Sequence, residues 1–238
     1  MLANISFVVP IYNEEENISN LVQEILDVAP DISTDYEILL VDDCSTDGGL
    51  KLIYDLARQN RKIRPLALTR NSGQSAALYA GFQAATGDVI ITMDADLQND
   101  PADLRQMVKY YGDHDMVNGW RFDRQDSWSK KIASKIGNSF RNWLTKETIH
   151  DTGCSLKIMN AAMLKRIRIY RGLHRFLPTL MRLEGARIIE VKVNHRQRQF
   201  GESKYTNLQR GIEGFYDVIA VRWMQRRYLK IEVKEEQC

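Results

Sequence analysis

The chain has 238 residues, of which 44% are hydrophobic and 27% are charged, and its formal net charge is +2 at pH 7. This composition excludes a disordered or fibrous chain and fits one large globular domain, with or without an appendage. The charge is uneven, because Met1–Asn118 carries −11 and Gly119–Cys238 carries +13. An acidic half joined to a basic half suggests that the two halves do different work.

Targeting signals and metal-binding cysteines are missing from the sequence. The three cysteines form no CxxC pair, which favours a reducing cytosol over a disulfide framework or a structural zinc site. Met1–Asn13 lacks the basic residues and the cleavage site of a signal peptide. No stretch approaches the roughly 18 apolar residues of a membrane span. We therefore expect a cytoplasmic protein that meets a membrane only at its surface.

Strands and helices alternate in the first half of the chain. The predicted strands are Ile5–Ile11, Tyr36–Val41, Ile63–Leu68 and Val89–Met93, and a helical pattern follows each of them. Such alternation requires crossover connections, and it predicts a Rossmann-like α/β fold with a mostly parallel sheet and helices on both faces.

The alternation ends beyond Gly119. Apolar residues of Trp128–Leu144 share one helical face, and the basic stretch Asn207–Lys230 also has a helical pattern. Between them, Cys154–Met159 and Arg187–Val193 are short β-like segments. We predict a catalytic domain over residues 1–205 and a basic, amphipathic C-terminal helix within residues 206–238, without a transmembrane span.

Acidic residues follow three of the predicted strands. Asn13–Glu16 comes after the first strand, Asp42 and Asp43 close the second, and Asp94 and Asp96 follow the fourth. The carboxyl ends of parallel strands meet at one edge of a sheet, where sites in such folds are usually built. Carboxylates gathered there repel one another unless cations or hydrogen-bond donors offset their charge.

The segment Asp94-Ala95-Asp96-Leu97-Gln98 is the strongest candidate for a metal site. Its carboxylate and amide oxygens suit Mg²⁺ or Mn²⁺, which leave positions open for substrate phosphates. Two aspartates before a helix can also serve only as helix caps. The position at a strand end, with other acidic clusters on the same edge, favours the metal site.

The chain contains seven short motifs in a fixed order: Pro10–Glu15, Val41–Gly48, Arg70–Ala77, Asp94–Pro101, Gly119–Arg121, Asp151–Cys154 and Arg198–Lys204. Together they resemble family 2 glycosyltransferases with the GT-A fold, and the resemblance covers about Ile5–Tyr205. Motifs in this order are far more specific than any one of them alone. The most similar branch is that of the polyprenyl-phosphate sugar transferases.

The resemblance implies roles for individual residues. The implied nucleotide-binding residues are Pro10, Tyr12, Asn13, Glu14, Val41, Asp42, Asp43, Asn71, Asp94 and Ala95. Asp96 and Gln98 would bind the divalent cation, whereas Arg121, Arg198, Ser203 and Lys204 would meet phosphate of the donor or the acceptor. Asp94, Asp96 and Arg121 are the implied catalytic residues. Arginine suits phosphate because its planar guanidinium group matches two oxygens at once.

The family implies an inverting, metal-dependent transfer from a UDP- or GDP-linked sugar to a polyprenyl phosphate at the cytoplasmic face of a membrane. The acceptor phosphate is already ionised, so no histidine is needed as a base. The basic C-terminal helix would meet anionic lipids, and a separate membrane protein could complete the system.

Three other functions fit the sequence less well. A transferase of the same fold could use a soluble saccharide in polysaccharide or cell-envelope synthesis. A DxD phosphotransferase would require a different residue pattern after its aspartates. A nucleotide-sugar-binding regulator would not need an intact DxD motif. No nucleic-acid partner is expected, because the sequence has no nucleic-acid-binding motif.

Overall fold

The computed structural model describes residues 1–122, 139, 141–197 and 207–229, apart from the side chains of residues 3 and 207–213. The described strands are β1 (Leu2–Ile11), β2 (Ser33–Asp42), β3 (Ile63–Ala67), β4 (Val89–Thr92), β5 (Met116–Arg121), β6 (Lys157–Asn160) and β7 (Ile188–Val193). They form a seven-stranded sheet in the order β3-β2-β1-β4-β6-β5-β7.

All of these strands except β6 run in one direction. β1 pairs in parallel with β2 and β4, β2 with β3, and β5 with β7. β6 lies between β4 and β5 and is antiparallel to both. The parallel strands therefore end at one edge of the sheet, which we call the carboxyl edge. The predicted α/β fold with a mostly parallel sheet is confirmed.

Helices cover both faces of the sheet. The described α-helices are α1 (Glu15–Ile32), α2 (Gly49–Gln59), α3 (Gln74–Ala84), α4 (Leu104–Met107), α5 (Ala161–Arg166), α6 (Leu177–Leu183) and α7 (Asn207–Arg227). Buried side chains of α1, α2 and α4 pack in one hydrophobic cluster. Those of α3, α5, α6 and α7 pack in a second cluster, which lies on the opposite face of the sheet.

Strand β1 shows why the sheet is buried on both faces. Ile5, Phe7, Val8 and Val9 are all fully buried, with Phe7 in the first cluster and Val8 in the second. A continuous apolar run of this kind is typical of a central parallel strand. Gly81 brings α3 close to this strand, since a Cβ atom added there would lie 2.3 Å from Cγ1 of Val8.

The second half of the chain differs from its sequence pattern. β5 was not predicted, because its residues Asn118, Gly119 and Arg121 interrupt the apolar pattern that identifies a buried strand. The β-like segment predicted over Cys154–Met159 forms a strand only from Lys157 onward. The helix predicted over Asn207–Lys230 corresponds to α7, whereas most of the predicted Trp128–Leu144 helix lies outside the described residues.

Helix α7 packs on the sheet domain. Val218 and Val221 are buried in the second cluster, and Gln225 donates a 2.8 Å hydrogen bond to the carbonyl of Thr145. The domain boundary at residue 205 stays a prediction. Among the described residues, none of the helices combines the length and the apolar character needed to cross a membrane.

The amino-terminal side of the sheet is held by a buried carboxylate. Oε1 of Glu37 accepts hydrogen bonds from Oγ of Ser6 at 2.6 Å and from the backbone nitrogen and Oγ1 of Thr86, each at 2.7 Å, and Arg64 forms an ion pair with Oε2. Burial would raise the pKa of Glu37, but these hydrogen bonds outweigh it and hold the pKa below its ordinary value of 4.5. Glu37 thus links β1, β2, β3 and the segment before β4.

Glu37→Ala is expected to lower the free energy of unfolding by about 3 kcal/mol, because it strands buried donors. The carboxylate stabilises the fold fully above pH 4.5, and this contribution is lost as the pH falls through the lower folded-state pKa. Urea unfolding at pH 7 and at pH 4 measures both effects. Asp35→Ala is the control, since its exposed pair with Lys62 should contribute less than about 1 kcal/mol; equal losses in both variants would contradict this account.

Candidate functional site

The acidic segments predicted to converge do follow neighbouring strands at the carboxyl edge. Asp42 is the last residue of β2, Asp43 follows it, and Asp94 and Asp96 come just after β4. Arg121 is the last residue of β5. β1 lies between β2 and β4, so the loops that carry these groups are close neighbours.

The loop after β1 is joined to the loop after β2. Asn13, at φ +52°, accepts a 2.7 Å hydrogen bond from the backbone nitrogen of Thr46, and its own backbone nitrogen donates to Oγ of Ser45 at 3.0 Å. The Asp47 carboxylate accepts a hydrogen bond from the backbone nitrogen of Glu15. The Glu15 carboxylate accepts one from the backbone nitrogen of Gly48. Asn13 therefore has a structural role beside the nucleotide-binding role that the resemblance implies.

The other predicted residues of the first loop lie in the same region. Pro10 is the second-last residue of β1, and Tyr12 follows the strand directly. Glu14 precedes α1 and accepts a 2.7 Å hydrogen bond from Nδ2 of Asn17. Pro10, Tyr12 and Glu14 are all partly exposed, so a ligand at the carboxyl edge can reach them.

Asp43 connects β2 to the start of α3. Its two carboxylate oxygens accept hydrogen bonds from the backbone nitrogens of Ser72 at 2.7 Å and Gly73 at 2.8 Å. Nδ2 of Asn71 donates to the Asp43 carbonyl at 3.2 Å. Gly73 has a φ of +88°, which favours glycine at this turn. Asp43 and Asn71, both predicted to bind nucleotide, thus shape one loop.

Three predicted nucleotide-binding residues lie deeper than their neighbours. The side chains of Val41 and Ala95 belong to the two hydrophobic clusters, so only their backbones are suited to polar contact with a ligand. Asp42 is fully buried, and one of its oxygens accepts from the backbone nitrogen of Ser45 at 3.1 Å. Its Oδ1 has no hydrogen-bond partner among the described residues.

Asp94 lies between α3 and the segment before β6. Its Oδ1 accepts a 2.7 Å hydrogen bond from Nε2 of Gln74, and its backbone nitrogen donates to Oγ of Ser155 at 3.2 Å. Gln74 follows Gly73, whose backbone nitrogen donates a hydrogen bond to Asp43. Asp43 and Asp94 therefore accept hydrogen bonds from adjacent residues at the start of α3. Burial and the charge of Asp96 raise the pKa of Asp94 to about 6.

Asp96 begins a tight turn that leads to Gln98. The backbone nitrogen of Gln98 donates to Oδ1 of Asp96 at 3.2 Å, and the intervening Leu97 has a φ of +59°. The side chain of Leu97 is buried in the first cluster, which fixes the turn to the core. The backbone therefore holds Asp96 and Gln98 close together at the carboxyl edge.

Arg121 is bound by Asp151. Nε of Arg121 lies 2.8 Å from Oδ2 of Asp151, and Nη2 lies 3.0 Å from Oδ1, so the ion pair is bidentate. Burial alone would lower the pKa of Arg121, but the hydrogen bonds and charge of Asp151 raise it. Arg121 was predicted to meet phosphate, and the structure adds Asp151 as a fixed carboxylate partner. The negative charge of Asp94 also acts to raise the pKa of Arg121.

A buried lysine begins β6, the strand next to β4. Lys157 is 1% exposed, and its Nζ donates a 3.2 Å hydrogen bond to the carbonyl of Thr152. Burial lowers the pKa of Lys157, whereas the negative charges of Asp151 and Asp94 act to raise it. Lys157 was not among the predicted site residues, although a lysine inside a β-like segment was a signal that could have identified it.

The chain before the Arg198–Lys204 motif contacts Gln98. The backbone nitrogen of Arg196 donates to the carbonyl of Gln98 at 2.9 Å, and its guanidinium group pairs with Glu24 and Asp100. The chain after β7 is therefore anchored beside the predicted metal-binding turn. The predicted phosphate-binding residues Arg198, Ser203 and Lys204 lie outside the described residues.

The charges at the carboxyl edge fit a divalent cation that arrives with a phosphate ligand. Asp96 raises the pKa of Asp94, so the two carboxylates lie close enough to repel each other. Sites for Mg²⁺ with substrate phosphates usually have one or two carboxylates, and water and phosphate complete the coordination. Among the described residues, no three His, Cys, Asp or Glu side chains form a metal-binding group, and the two predicted metal ligands, Asp96 and Gln98, are one carboxylate and one amide.

Two residues that position Asp94 were not predicted. Gln74 binds the Asp94 carboxylate, and Ser155 accepts from its backbone and donates to Oδ1 of Asn99 at 2.6 Å. Gln74 lies within the Arg70–Ala77 motif, so the resemblance could have identified it. Ser155 carries no comparable signal, because a single serine before a strand is common.

Asp43→Ala is expected to weaken the loop before α3, because the backbone nitrogens of Ser72 and Gly73 lose their acceptor. Amide hydrogen exchange at these two residues should accelerate, by the equivalent of about 1–3 kcal/mol of local stability. Asp47→Ala is the matched control, since it frees the backbone nitrogens of Glu15 and Gly49 instead. Unchanged protection at Ser72 and Gly73 in Asp43→Ala would contradict the assigned role.

Solved structures share this architecture. Glucosyl-3-phosphoglycerate synthase from Mycobacterium tuberculosis, in complex with Mn²⁺, UDP and phosphoglyceric acid, is 19% identical, with a TM-score of 0.68 over 94% of this chain and 78% of that one. S. aureus TarS 1-349 in complex with UDP-GlcNAc is 22% identical, with a TM-score of 0.64 over 93% of this chain and 66% of that one. These likenesses establish the fold.

A family model identifies the chain more specifically. The model described as glycosyl transferase family 2 matches residues 6–168. The matched range begins in β1, ends just after α5, and contains Asp43, Asp94, Asp96 and Arg121. The chain therefore belongs to glycosyl transferase family 2.

Proposed function

We propose that this protein transfers a sugar from a UDP-linked donor to an acceptor, with a divalent cation bound by Asp96 and Gln98. The observation that carries the proposal is the pair of carboxylates, Asp94 and Asp96, held in mutual repulsion at the carboxyl edge. A divalent cation offsets this repulsion and, when bound, neutralises the departing diphosphate. Nucleotide-sugar transfer is the activity expected of family 2.

The ligands of the similar structures support the donor and the cation. The mycobacterial synthase was solved with Mn²⁺ and UDP-glucose, and TarS was solved with UDP-GlcNAc. We therefore favour UDP over GDP for the nucleotide, and Mn²⁺ or Mg²⁺ for the cation. The carboxyl edge also carries Asp42, Asp43 and the loop that contains Asn71, beside Asp94 and Asp96. These residues are suited to hold the nucleoside.

The protein's own groups would orient the reacting partners. Gln74 and Ser155 fix Asp94 against the nucleotide, and Asp151 fixes the plane of the Arg121 guanidinium group. Inversion requires the acceptor to approach the anomeric carbon from the face opposite the diphosphate. If the acceptor is an ionised phosphate, positioning and electrostatics supply the catalysis without a strong base.

Asp96→Asn is expected to lower sugar transfer by roughly a hundredfold or more, because a metal ligand is lost. Release of UDP from UDP-glucose and UDP-GlcNAc in Mn²⁺ measures the effect, and circular dichroism checks the fold. Asp55→Asn on α2 is the control, since Asp55 pairs only with Arg58 in the structure as described. Near-normal transfer by Asp96→Asn would refute the assignment.

A soluble acceptor is the first candidate. The mycobacterial synthase was solved with phosphoglyceric acid, a small soluble phosphate, at a site on the same fold. The positive charge of the second half of the chain suits such an anionic acceptor as well as it suits a lipid phosphate. A soluble saccharide of polysaccharide or cell-envelope synthesis belongs to the same class of acceptor.

A polyprenyl phosphate at a membrane surface is the second candidate, and the surface of α7 favours it. One side of α7 is buried through Val218 and Val221, whereas another exposes a row of aromatic and aliphatic side chains. We call this row the aromatic face of α7; it consists of Phe215, Tyr216, Ile219 and Trp223. Arg222, Arg226 and Arg227 lie on the same helix, and this combination is typical of helices that bind anionic lipid surfaces.

The two candidate acceptors can be distinguished by the solvent phase in which the labelled product is recovered. Radiolabelled sugar from the donor should enter the aqueous phase with a soluble acceptor and the organic phase with polyprenyl phosphate. A peripheral position at the inner face of the membrane, alone or with a separate membrane protein, is part of the second candidate only.

Binding to vesicles tests the aromatic face of α7. Under the second candidate, the protein should sediment with anionic vesicles at low salt and be released at high salt, because exposed charges are screened. The double variant Phe215→Ser/Trp223→Ser should lose at least about tenfold in binding, since the interfacial apolar contacts disappear. Tyr54→Ser is the control, because this exposed aromatic lies on α2 at the opposite face of the sheet. Sedimentation unchanged in the double variant, or absent at any salt, would exclude this candidate.

A further inference from the structure

The turn that carries the two predicted metal ligands has a backbone conformation that needs support. Leu97 lies between Asp96 and Gln98 at a φ of +59°, a region that residues other than glycine rarely adopt. Such a conformation persists only where the surrounding structure holds it. The side chain of Leu97 is buried in the first cluster, and Asn99 accepts a 2.6 Å hydrogen bond from Oγ of Ser155. These contacts hold the turn to the core and to the segment before β6.

Arg196 holds the same turn from the chain that follows β7. Its backbone nitrogen donates a 2.9 Å hydrogen bond to the carbonyl of Gln98. Nη2 of its guanidinium group lies 2.8 Å from Oδ2 of Asp100, whose Oδ1 accepts from the backbone nitrogen of Ala102 at 2.9 Å. Nη1 donates to both carboxylate oxygens of Glu24 on α1, each at 2.8 Å. One side chain therefore ties the end of the turn to α1.

This contact depends on the shape of arginine. Two nitrogens of one planar group reach two separate carboxylates, whereas the ammonium group of lysine is a single point charge on a flexible stem. The side chains of Arg196, Glu24 and Asp100 are 34%, 33% and 22% exposed, so solvent screens their attraction less than it screens a surface pair. The pair of Arg105 with Asp31, whose side chains are 47% and 53% exposed, is such a surface pair.

We propose that Arg196 is a positioning residue that holds the Asp96–Gln98 turn in the conformation that a divalent cation requires. The inference rests on the proposed function and adds a residue to it. Arg196 acts through the turn, because Glu24 and Asp100 engage its guanidinium group. Without that group the turn loses its attachment to α1 and leaves the metal-binding conformation more often, so the apparent affinity for the cation falls.

The Mn²⁺ requirement of nucleotide binding tests the proposal on the full chain. Binding of UDP is measured by calorimetry over a range of Mn²⁺ concentrations for the wild type and for Arg196→Met. The Mn²⁺ concentration that gives half-maximal UDP binding should rise by about tenfold or more, the usual effect of removing a group that orients a metal ligand. At saturating Mn²⁺ the affinity for UDP should change by less than about twofold, because the bound cation restores the turn.

The matched control is Arg105→Met. Arg105 on α4 also pairs with a carboxylate of α1, that of Asp31 at 2.7 Å, and this is its only hydrogen bond in the structure as described. Its substitution should leave the half-maximal Mn²⁺ concentration within about twofold of the wild type. A wild-type Mn²⁺ requirement in Arg196→Met, or an equal rise in Arg105→Met, would overturn the proposal. A loss of UDP affinity that saturating Mn²⁺ does not restore would overturn it as well.

Arg196→Lys separates the shape of the side chain from its charge. This variant keeps the positive charge but cannot bind Glu24 and Asp100 with two nitrogens of one plane, so its Mn²⁺ requirement should also rise. Wild-type behaviour of Arg196→Lys would mean that a positive charge alone suffices, which would contradict the assigned role. If Arg196→Met does not fold, Arg196→Lys decides the question by the same measurement.

Amide hydrogen exchange gives a readout that needs no ligand. The backbone nitrogens of Gln98 and Ala102 donate to Asp96 and Asp100, and their exchange should be at least about fivefold faster in Arg196→Met than in the wild type. Unchanged exchange at both residues would contradict the role of Arg196. If the wild type binds no UDP in Mn²⁺, the proposed function fails instead, and amide exchange still tests whether Arg196 holds the turn.

Discussion

Repulsion between carboxylates at the carboxyl edge is the constraint around which this site is built. Asp94 and Asp96 follow β4 and are separated by one residue. Burial of Asp94 and the negative charge of Asp96 together raise the pKa of Asp94 to about 6. The fold tolerates this arrangement because Gln74 and Ser155 hold Asp94 by hydrogen bonds, and because the positive charges of Arg121 and Lys157 act to lower the pKa of Asp94. Binding of a divalent cation would relieve this electrostatic repulsion and so stabilise the site.

The acidic residues of the carboxyl edge divide into two kinds. Each oxygen of the Asp43 carboxylate accepts from a backbone nitrogen, so Asp43 shapes the loop before α3 whether or not it also touches the nucleoside. Asp96 accepts from the backbone nitrogen of Gln98 in a tight turn that holds these two predicted metal ligands together. The acidic residues of the carboxyl edge thus include a residue that shapes a loop, Asp43, as well as a candidate metal ligand, Asp96.

The sequence predicted the parallel strands β1 to β4 well because each is an apolar run that ends in polar turn residues. It failed at β5, where Asn118 and Arg121 serve a buried polar network instead of the core. For the same reason it missed the pairing of Arg121 with Asp151 and the burial of Lys157. Arg121 and Asp151 lie 30 residues apart in the chain, and their pairing depends on the arrangement of β5 beside the antiparallel β6.

The proposed sugar transfer requires one divalent ion that is held between Asp96 and Gln98 together with a nucleoside diphosphate. Crystals grown with UDP and Mn²⁺, measured with anomalous scattering from manganese, test this directly. We expect a single strong anomalous peak in contact with Asp96, Gln98 and the diphosphate. Bound UDP with manganese located elsewhere, or with no manganese at the carboxyl edge, would contradict the account.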